Sequence, residues 1–313
     1  MSLLSEIAIT PDVLREDGYA SAASCSLSLS FLRPILYEEV LVRDLRDGAW
    51  SNMVLKEAGS WHRLATELVR KLHDRGRLIR GSPRQTDAPS SDLAWAEEAI
   101  QSHLETGLDA ILAGAAVHAQ LPPNQPVCCV EKVHASTWWQ SRSCSIRLQR
   151  KTAEYLVALK LVLEHARSLM FIDPHLDPLR QNYAEFGQLL TAARRSQVPP
   201  QIELHRVCYD GSGSNRRLLQ PNELRERFAQ VGGKLRAVGL SAEVLVWDDF
   251  HDRYLITNLI GVSLLNGFDT SRAEDRTTWS RLSPKDRDDI QREFDPASGT
   301  HALRDRFTVG CEA

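Results

Sequence analysis

The segment SLMFIDPHLDP, residues 168–178, indicates the fold of the second half of the chain. Its first five residues are almost wholly apolar, which is typical of a short strand buried on both faces. Asp173 ends the apolar run, and Pro174 interrupts any regular structure. The amphipathic stretch that follows, 181–195, predicts a helix. A buried strand followed by a helix is the repeating unit of an α/β protein.

The same alternation runs through the sequence after residue 126. Predicted strands cover 126–135, 168–173, 200–209, 242–247, 253–258 and 261–269, and predicted helices cover 147–166, 181–195 and 222–235. Strands this apolar, separated by helices, predict a mixed, largely parallel sheet with helices on both faces. The last two strands are too close together for a crossover helix, so they predict an antiparallel hairpin.

The chain has 313 residues, which favours two domains. AQLPPNQPV, residues 119–127, is rich in proline and predicts the linker. We expect an α+β domain of unknown role over 1–122 and an α/β domain over 126–313. In the first, 25–32 and 38–45 predict strands, 60–76 predicts a helix, and a second helix begins at Ser91 or Asp92 and carries Leu108 and Ile111 on its apolar face.

Composition narrows the protein class. Apolar residues make up 42% and charged residues 25%, as in globular proteins, and the net charge of −3 favours no polyanion partner by itself. No apolar run is long enough to span a bilayer, and the N-terminus lacks a basic signal-peptide region. The six cysteines form no C-x-x-C pair, which favours reduced thiols. These features predict a cytoplasmic protein, and we expect no metal and no cofactor.

The polar residues after the 168–173 strand form the first candidate site. In an open α/β sheet, functional groups gather at the carboxyl ends of the strands. Asp173 and His175 therefore either face a cleft, or Asp173 and Asp177 only cap the next helix.

The second candidate site is DDFHDRYLITN, residues 248–258. On a strand, His251, Arg253 and Asp249 share one face, and Asp252 points to the other. Asn258 ends this strand, and two further polar residues, Asn266 and Asp269, follow the next one. A histidine beside a cation and an amide can bind or attack a phosphate. The alternative is an ion-pair network that only joins the hairpin to the sheet.

These motifs resemble the phospholipase-D-like superfamily, in particular the phospholipase-D-like domain at the C-terminus of MIT-domain proteins and its bacterial relatives. The resemblance lies in DPHL at 173–176, HDRYL at 251–255 and GFD at 267–269, and covers about 126–313. The catalytic pattern of the superfamily, His-x-Lys followed by Asp, is replaced by His251, Arg253 and Asn258. A catalytic site of this type uses two histidines, so a homodimer or His175 would supply the second one.

The resemblance implies two main functions. One is a binding or assembly module whose degenerate His-x-Arg site holds a phosphate-bearing ligand, within a bacterial defence complex of several protein subunits, such as an anti-phage system. The other is a metal-independent phosphodiesterase or nuclease that uses His251 as its nucleophile on nucleic acid. A third possibility, binding to a membrane surface, requires a cluster of basic residues that the sequence does not contain.

Overall fold

The computed structural model describes residues 2–56, 61–83, 87–123, 126–195, 198–211 and 213–310, and it divides the chain into two compact units. The first unit is Leu4–Ser143. The second is Cys144–Ala313 with the N-terminal residues up to Leu3. The division follows Ser143 and does not fall in the 119–127 segment, because Val127–Cys129 pairs with a strand of the first unit.

The first unit is a doubly wound α/β sheet. Its strands are β1 (Ser5–Ile9), β2 (Val40–Asp44), β3 (Leu78–Gly81), β4 (Ala110–Ala113) and β5 (Val127–Cys129). They run in the order β3-β2-β1-β4-β5, and every pair is parallel. The helices are α1 (Ala22–Glu38), α2 (Leu45–Lys56), α3 (Arg63–Asp74), α4 (Asp92–Glu105), α5 (Ala115–His118) and α6 (Thr137–Ser141). This unit is therefore parallel α/β and not the α+β arrangement that we expected.

Two local predictions in the first unit were wrong. The 25–32 segment alternates Ser with apolar residues like a strand, but it lies within α1, where Leu29, Leu32 and Leu36 share a buried helical face. The Ser21 side chain caps this helix by accepting a hydrogen bond from the Ser24 N–H. The predicted second helix was too long, since α4 ends at Glu105 and Ile111 lies in β4.

The second unit is a mixed eight-stranded sheet. Its main strands are β6 (Ser145–Gln149), β7 (Ser168–Ile172), β8 (Gln201–Val207), β11 (Ala242–Trp247), β12 (Tyr254–Thr257), β13 (Gly261–Leu264), β14 (Arg276–Arg281) and β15 (Leu303–Val309). The order is β15-β11-β8-β7-β12-β13-β14-β6. The contiguous strands β7, β8 and β11 are parallel, and all other pairs are antiparallel. The predicted α/β class, the mixed sheet and the antiparallel hairpin are confirmed, but the sheet is not largely parallel, since two of its seven described strand pairs are parallel.

Helices cover both faces of this sheet. They are α7 (Thr152–His165), α8 (Phe186–Thr191), α9 (Pro221–Ala237) and α10 (Pro284–Glu293), and a short hairpin of β9 (Tyr209–Asp210) and β10 (Arg217–Leu218) follows β8. On one face, Phe171 of β7 contacts Phe186 of α8 with ring centroids 5.3 Å apart. On the other, Met170 and Ile172 belong to the buried cluster that contains Ile290 of α10. The alternation along β7 thus buries both faces.

No helix of the described residues is long and apolar enough to cross a membrane. Five cysteines are free thiols, and the sixth, Cys311, lies outside the described residues.

Candidate functional site

The carboxylate of Asp173 is the buried centre of the site. Asp173 follows the last residue of β7 and is fully inaccessible to solvent. Its Oδ1 accepts a hydrogen bond from the His175 N–H at 3.0 Å. Its Oδ2 accepts two more, from the Tyr183 hydroxyl at 3.0 Å and the Phe268 N–H at 3.2 Å. Burial raises the pKa of this carboxyl, and these donors together with the Arg253 guanidinium oppose that rise.

Strand register places Arg253 beside Asp173. β12 runs antiparallel to β7, with Tyr254 opposite Ile172. Arg253, which precedes Tyr254, therefore lies opposite Asp173, which follows Ile172. The Arg253 Nε lies 3.8 Å from the Asp173 Oδ1, and its Nη1 donates to the His251 carbonyl at 3.1 Å. The Arg253 side chain is 27% exposed, so it spans the distance from the buried carboxylate to the surface.

Glycine at position 267 allows this approach. Gly267 has φ +62° in the turn after β13, and a Cβ atom there would lie 2.1 Å from the Asp173 Oδ2 and 2.9 Å from the Arg253 Cδ. A larger residue would therefore displace both charged side chains. The GFD motif thus has a local physical cause, because its glycine makes room for Asp173 and its Phe268 N–H binds that carboxylate.

A pocket of about 300 Å³ opens above these residues at the carboxyl edge of β7. Its lining combines two arginines, one histidine, two amides, one acid and one tyrosine with a glycine and a leucine: His175, Arg180, Asn182, Tyr183, Gly211, Arg253, Leu265, Asn266 and Asp269. The pKa of the His175 imidazole is lowered, first by burial and further by Arg253 and Arg180, while Asp173 opposes the shift. The ring therefore favours its neutral form, which can accept a proton.

Asp269 lies in the pocket wall, and the negative charge of its carboxylate is already compensated by neighbouring groups. Its Oδ2 lies 3.0 Å from the Arg150 Nη2, and its Oδ1 accepts a hydrogen bond from the Ser271 N–H at 2.6 Å. Burial raises its pKa, but the Ser271 hydrogen bonds, Asn182 and Arg150 outweigh burial and leave the pKa lowered. Asp269 is thus an anion that helps to orient the Asn182 amide.

An ion-pair network fixes the loop between β7 and α8. The buried carboxylate of Asp177 accepts from the Leu179 N–H at 3.2 Å and pairs with Arg227 and, at 3.6 Å, with Arg180. Arg180 and Arg227 also pair with Asp210 of β9. Neither Asp173 nor Asp177 caps α8, which begins at Phe186. They bind local backbone groups instead, so the predicted capping role was wrong.

A buried arginine joins this loop to β8. The guanidinium of Arg206 donates to the carbonyls of Leu176 at 3.1 Å, Val207 at 2.9 Å and Tyr209 at 3.0 Å. Burial lowers its pKa to about 10, which leaves it charged at neutral pH. The network therefore holds the 173–180 loop in place and presents His175 and Arg180 to the pocket.

Of the nine residues predicted from the sequence, five lie together here: Asp173 under the pocket, and His175, Arg253, Asn266 and Asp269 in its wall. His251 and Asp252 are exposed, precede β12 and lie outside the pocket lining. The shared strand face expected for His251 and Arg253 therefore does not form. Asp249 also lies elsewhere and pairs with Arg216 at 2.8 Å.

Asn258 lies at the opposite end of β12. Its Oδ1 accepts hydrogen bonds from the Arg167 N–H at 2.6 Å and the Ser168 N–H at 3.4 Å, at the start of β7. Five residues of extended strand place it roughly 17 Å from Arg253. The two residues that resemble the phospholipase-D pattern, Arg253 and Asn258, therefore lie at opposite ends of β12. Asn258 does not line the pocket.

The sequence analysis missed Arg180, Asn182 and Tyr183, which lie in the segment LRQNY after the DPHL motif. Their position directly after a strand-end motif was the available signal, since loops at this edge supply most binding groups of α/β sheets. Among the described residues, no three His, Cys, Asp or Glu side chains are grouped so that they could hold a metal ion.

Fold and site together define a two-unit α/β protein whose second unit has a polar pocket at the carboxyl edge of its sheet. No family model and no curated protein matches the chain. Among solved structures, it is similar to a phospholipase D family member, Nuc from Salmonella typhimurium, with 12% identity over 51% of this chain and 97% of that one and a TM-score of 0.33. It is also similar to TrmBL2, an archaeal chromatin protein, with 12% identity over 77% and 82% and a TM-score of 0.31.

Proposed function

We propose that the second unit is a phospholipase-D-like binding module, whose pocket holds the phosphate group of a ligand. The observation that supports this most directly is the presence of Arg180, Arg253 and His175 in one pocket lining. Guanidinium groups bind phosphate oxygens through paired N–H donors, and an imidazole adds a further N–H donor.

The buried carboxylate of Asp173 holds the phosphate-binding guanidinium of Arg253 in one position. Asp173 draws the Arg253 side chain inward, and its own oxygens are occupied by three hydrogen bonds. Its charge therefore orients the guanidinium and is not directed at the ligand. A binding cation held in place before the ligand arrives loses less conformational entropy on binding.

Titration of the purified protein with inorganic phosphate tests the proposal. We expect Arg253→Gln to weaken binding by about tenfold or more, because hydrogen bonds to charged groups contribute about 1.5–3 kcal/mol. Arg292→Gln is the matched control, since Arg292 is an exposed arginine of α10 outside the pocket. Equal affinities for wild type and Arg253→Gln, with circular dichroism unchanged, would contradict the proposal.

The second candidate function is phosphodiester hydrolysis. One observation favours it: the pocket contains a histidine, His175, whose lowered pKa keeps a nucleophilic nitrogen available. In this reaction a ring nitrogen of His175 bonds to phosphorus, the bond from phosphorus to the leaving oxygen breaks, and water then hydrolyses the phosphohistidine. A nitrophenolate leaves as the anion and needs no proton. His251, the nucleophile first expected, lies outside the pocket lining. Hydrolysis of a nitrophenyl phosphodiester in chelator, lost in His175→Ala and kept in His251→Ala, is the outcome that this candidate requires.

For a leaving group that needs a proton, a second histidine would come from another copy of the chain. His251 is exposed and its ring forms no hydrogen bond with other described residues. Light scattering on the purified protein measures whether a homodimer forms.

An assembly role with other subunits of an anti-phage defence complex follows from the resemblance alone. Its test is the plating efficiency of phage on hosts with and without the gene.

A further inference from the structure

The pocket is larger than a phosphate requires. Pockets for small organic ligands begin at roughly 300 Å³, and this one measures about 300 Å³. A water occupies about 30 Å³, and a phosphate of five heavy atoms displaces only a few waters. Most of the volume is therefore available to another part of the ligand.

The additional lining is suited to a sugar and a base. Asn266 presents an amide that has no hydrogen bond with other described residues, so its donor and acceptor are available to a ligand. Leu265 lines the same pocket although 68% of it is exposed. An amide can form hydrogen bonds with the hydroxyls of a sugar or with the edge of a base. An exposed leucine can pack against the face of a planar ring.

The charges around the pocket oppose a long polyanion. The arginines next to the pocket that do not line it are already paired with carboxylates, at nitrogen–oxygen distances of 2.8 Å for Arg216–Asp249, 2.9 Å for Arg217–Glu223 and 3.3 Å for Arg227–Asp210. The whole chain carries a net charge of −3. Proteins that bind single strands need a continuous basic groove with stacking aromatics, and these compensated arginines do not supply one.

We infer that the pocket takes a mononucleotide, with its phosphate at Arg253 and His175 and its nucleoside against Asn266 and Leu265. This inference rests on the proposed phosphate-binding function and names its ligand class. Three properties favour this ligand class over a free phosphate or a long strand. The volume exceeds a free phosphate, the amide and leucine favour a nucleoside, and the compensated charges disfavour an oligonucleotide strand.

Calorimetric titration at fixed salt with inorganic phosphate, ribose 5-phosphate, AMP and a ten-nucleotide single strand tests the inference. We expect AMP to bind about tenfold tighter than ribose 5-phosphate, a difference of about 1.4 kcal/mol. Leu265→Ala should reduce the ratio of these two affinities toward one, and Leu265→Met should restore it. Leu218→Ala is the matched control, because Leu218 is an exposed leucine that does not line the pocket.

The outcomes separate the two proposals. Equal affinities for phosphate, ribose 5-phosphate and AMP would overturn the mononucleotide inference and leave phosphate binding intact. A strand that binds tighter than AMP, with an affinity that falls steeply with salt, would also overturn the inference and favour nucleic acid. Absence of binding by all four ligands would overturn the inference and the proposed function together.

Discussion

The guanidinium of Arg253 lies 3.8 Å from the buried carboxylate of Asp173, and the pairing of β12 with β7 brings them together. The pair joins the interior of the second unit to its pocket, because Asp173 is inaccessible and the Arg253 side chain is partly exposed. Removing either partner leaves the other charge uncompensated, which costs more than the pair itself contributes.

Asp173→Ala should lower the free energy of unfolding by about 3–5 kcal/mol. The substitution leaves the Tyr183 hydroxyl and the Phe268 N–H without their acceptor, and it removes the partner of Arg253. Urea unfolding followed by fluorescence measures the loss. Asp289→Ala is the control, because Asp289 is an acid of α10 with partners only at the surface. Comparable stability of both variants would show that the Asp173 network contributes little.

Gly267→Ala should abolish phosphate binding and destabilise the second unit. The new methyl group would overlap the Asp173 Oδ2, and φ of +62° adds a backbone cost of about 1 kcal/mol for alanine. Gly299→Ala separates the two effects, since Gly299 has φ +68° with no atom within 4 Å of its added Cβ. We expect thermal melting to show only the smaller cost for Gly299→Ala. Equal decreases in the melting temperature of Gly267→Ala and Gly299→Ala would mean that the overlap with Asp173 is relieved without a cost in stability.

Anion affinity should rise as the pH falls. Burial lowers the pKa of His175 in the free protein, and a bound dianion favours the protonated ring, so binding takes up a proton. Uptake of one proton raises affinity by at most about tenfold per pH unit. Sulfate is a suitable probe because its charge is constant over this range. Titration in two buffers of different ionisation enthalpy measures the proton uptake, which His175→Gln should eliminate. Unchanged uptake in that variant would assign the proton to another group.

The stability of the second unit should decrease in acid through His205. This imidazole is fully buried, accepts a hydrogen bond from the Trp247 Nε1 at 3.1 Å, and has its pKa lowered by burial, against the effect of Glu203. Its folded pKa lies below the unfolded value of about 6.5. Its contribution is therefore present above that value and is lost as the pH falls through the folded pKa.

Urea unfolding at several pH values checks this assignment. We expect His205→Asn to reduce the dependence of stability on pH between the folded and unfolded pKa values of the ring. His73→Gln is the control, because His73 is an exposed histidine of α3. An unchanged pH profile for His205→Asn would assign the acid sensitivity to other groups.

The sequence predicted the fold of the second unit well, since its strands are short, apolar and separated by amphipathic helices. Asp173, His175 and Arg253 were also predictable, because polar residues at strand ends meet at one edge of the sheet. His251 was expected on the same strand face as Arg253, but β12 begins only at Tyr254, which a pattern of alternating residues does not reveal. Asn258 was assigned to the site from the resemblance to the phospholipase-D spacing, although a strand over 253–258 already separates it from Arg253. The 25–32 segment was misassigned because alternating Ser and Leu satisfies the strand and helix patterns alike.

Asn258→Ala distinguishes a structural role for this residue from the catalytic role that its spacing in the sequence suggested. The Asn258 Oδ1 accepts from the Arg167 and Ser168 N–H groups and joins the end of β12 to the start of β7. Loss of this acceptor should lower the free energy of unfolding by about 1 kcal/mol, the net contribution of a typical hydrogen bond, because the Arg167 N–H is exposed and can bond water instead. Phosphate affinity should not change, because Asn258 lies at the other edge of the sheet from Arg253. Asn258→Asp keeps the acceptor and should retain most of the stability. A stable Asn258→Ala variant that no longer binds phosphate would instead place Asn258 in the binding site, and the two edges of the sheet would have to be functionally coupled.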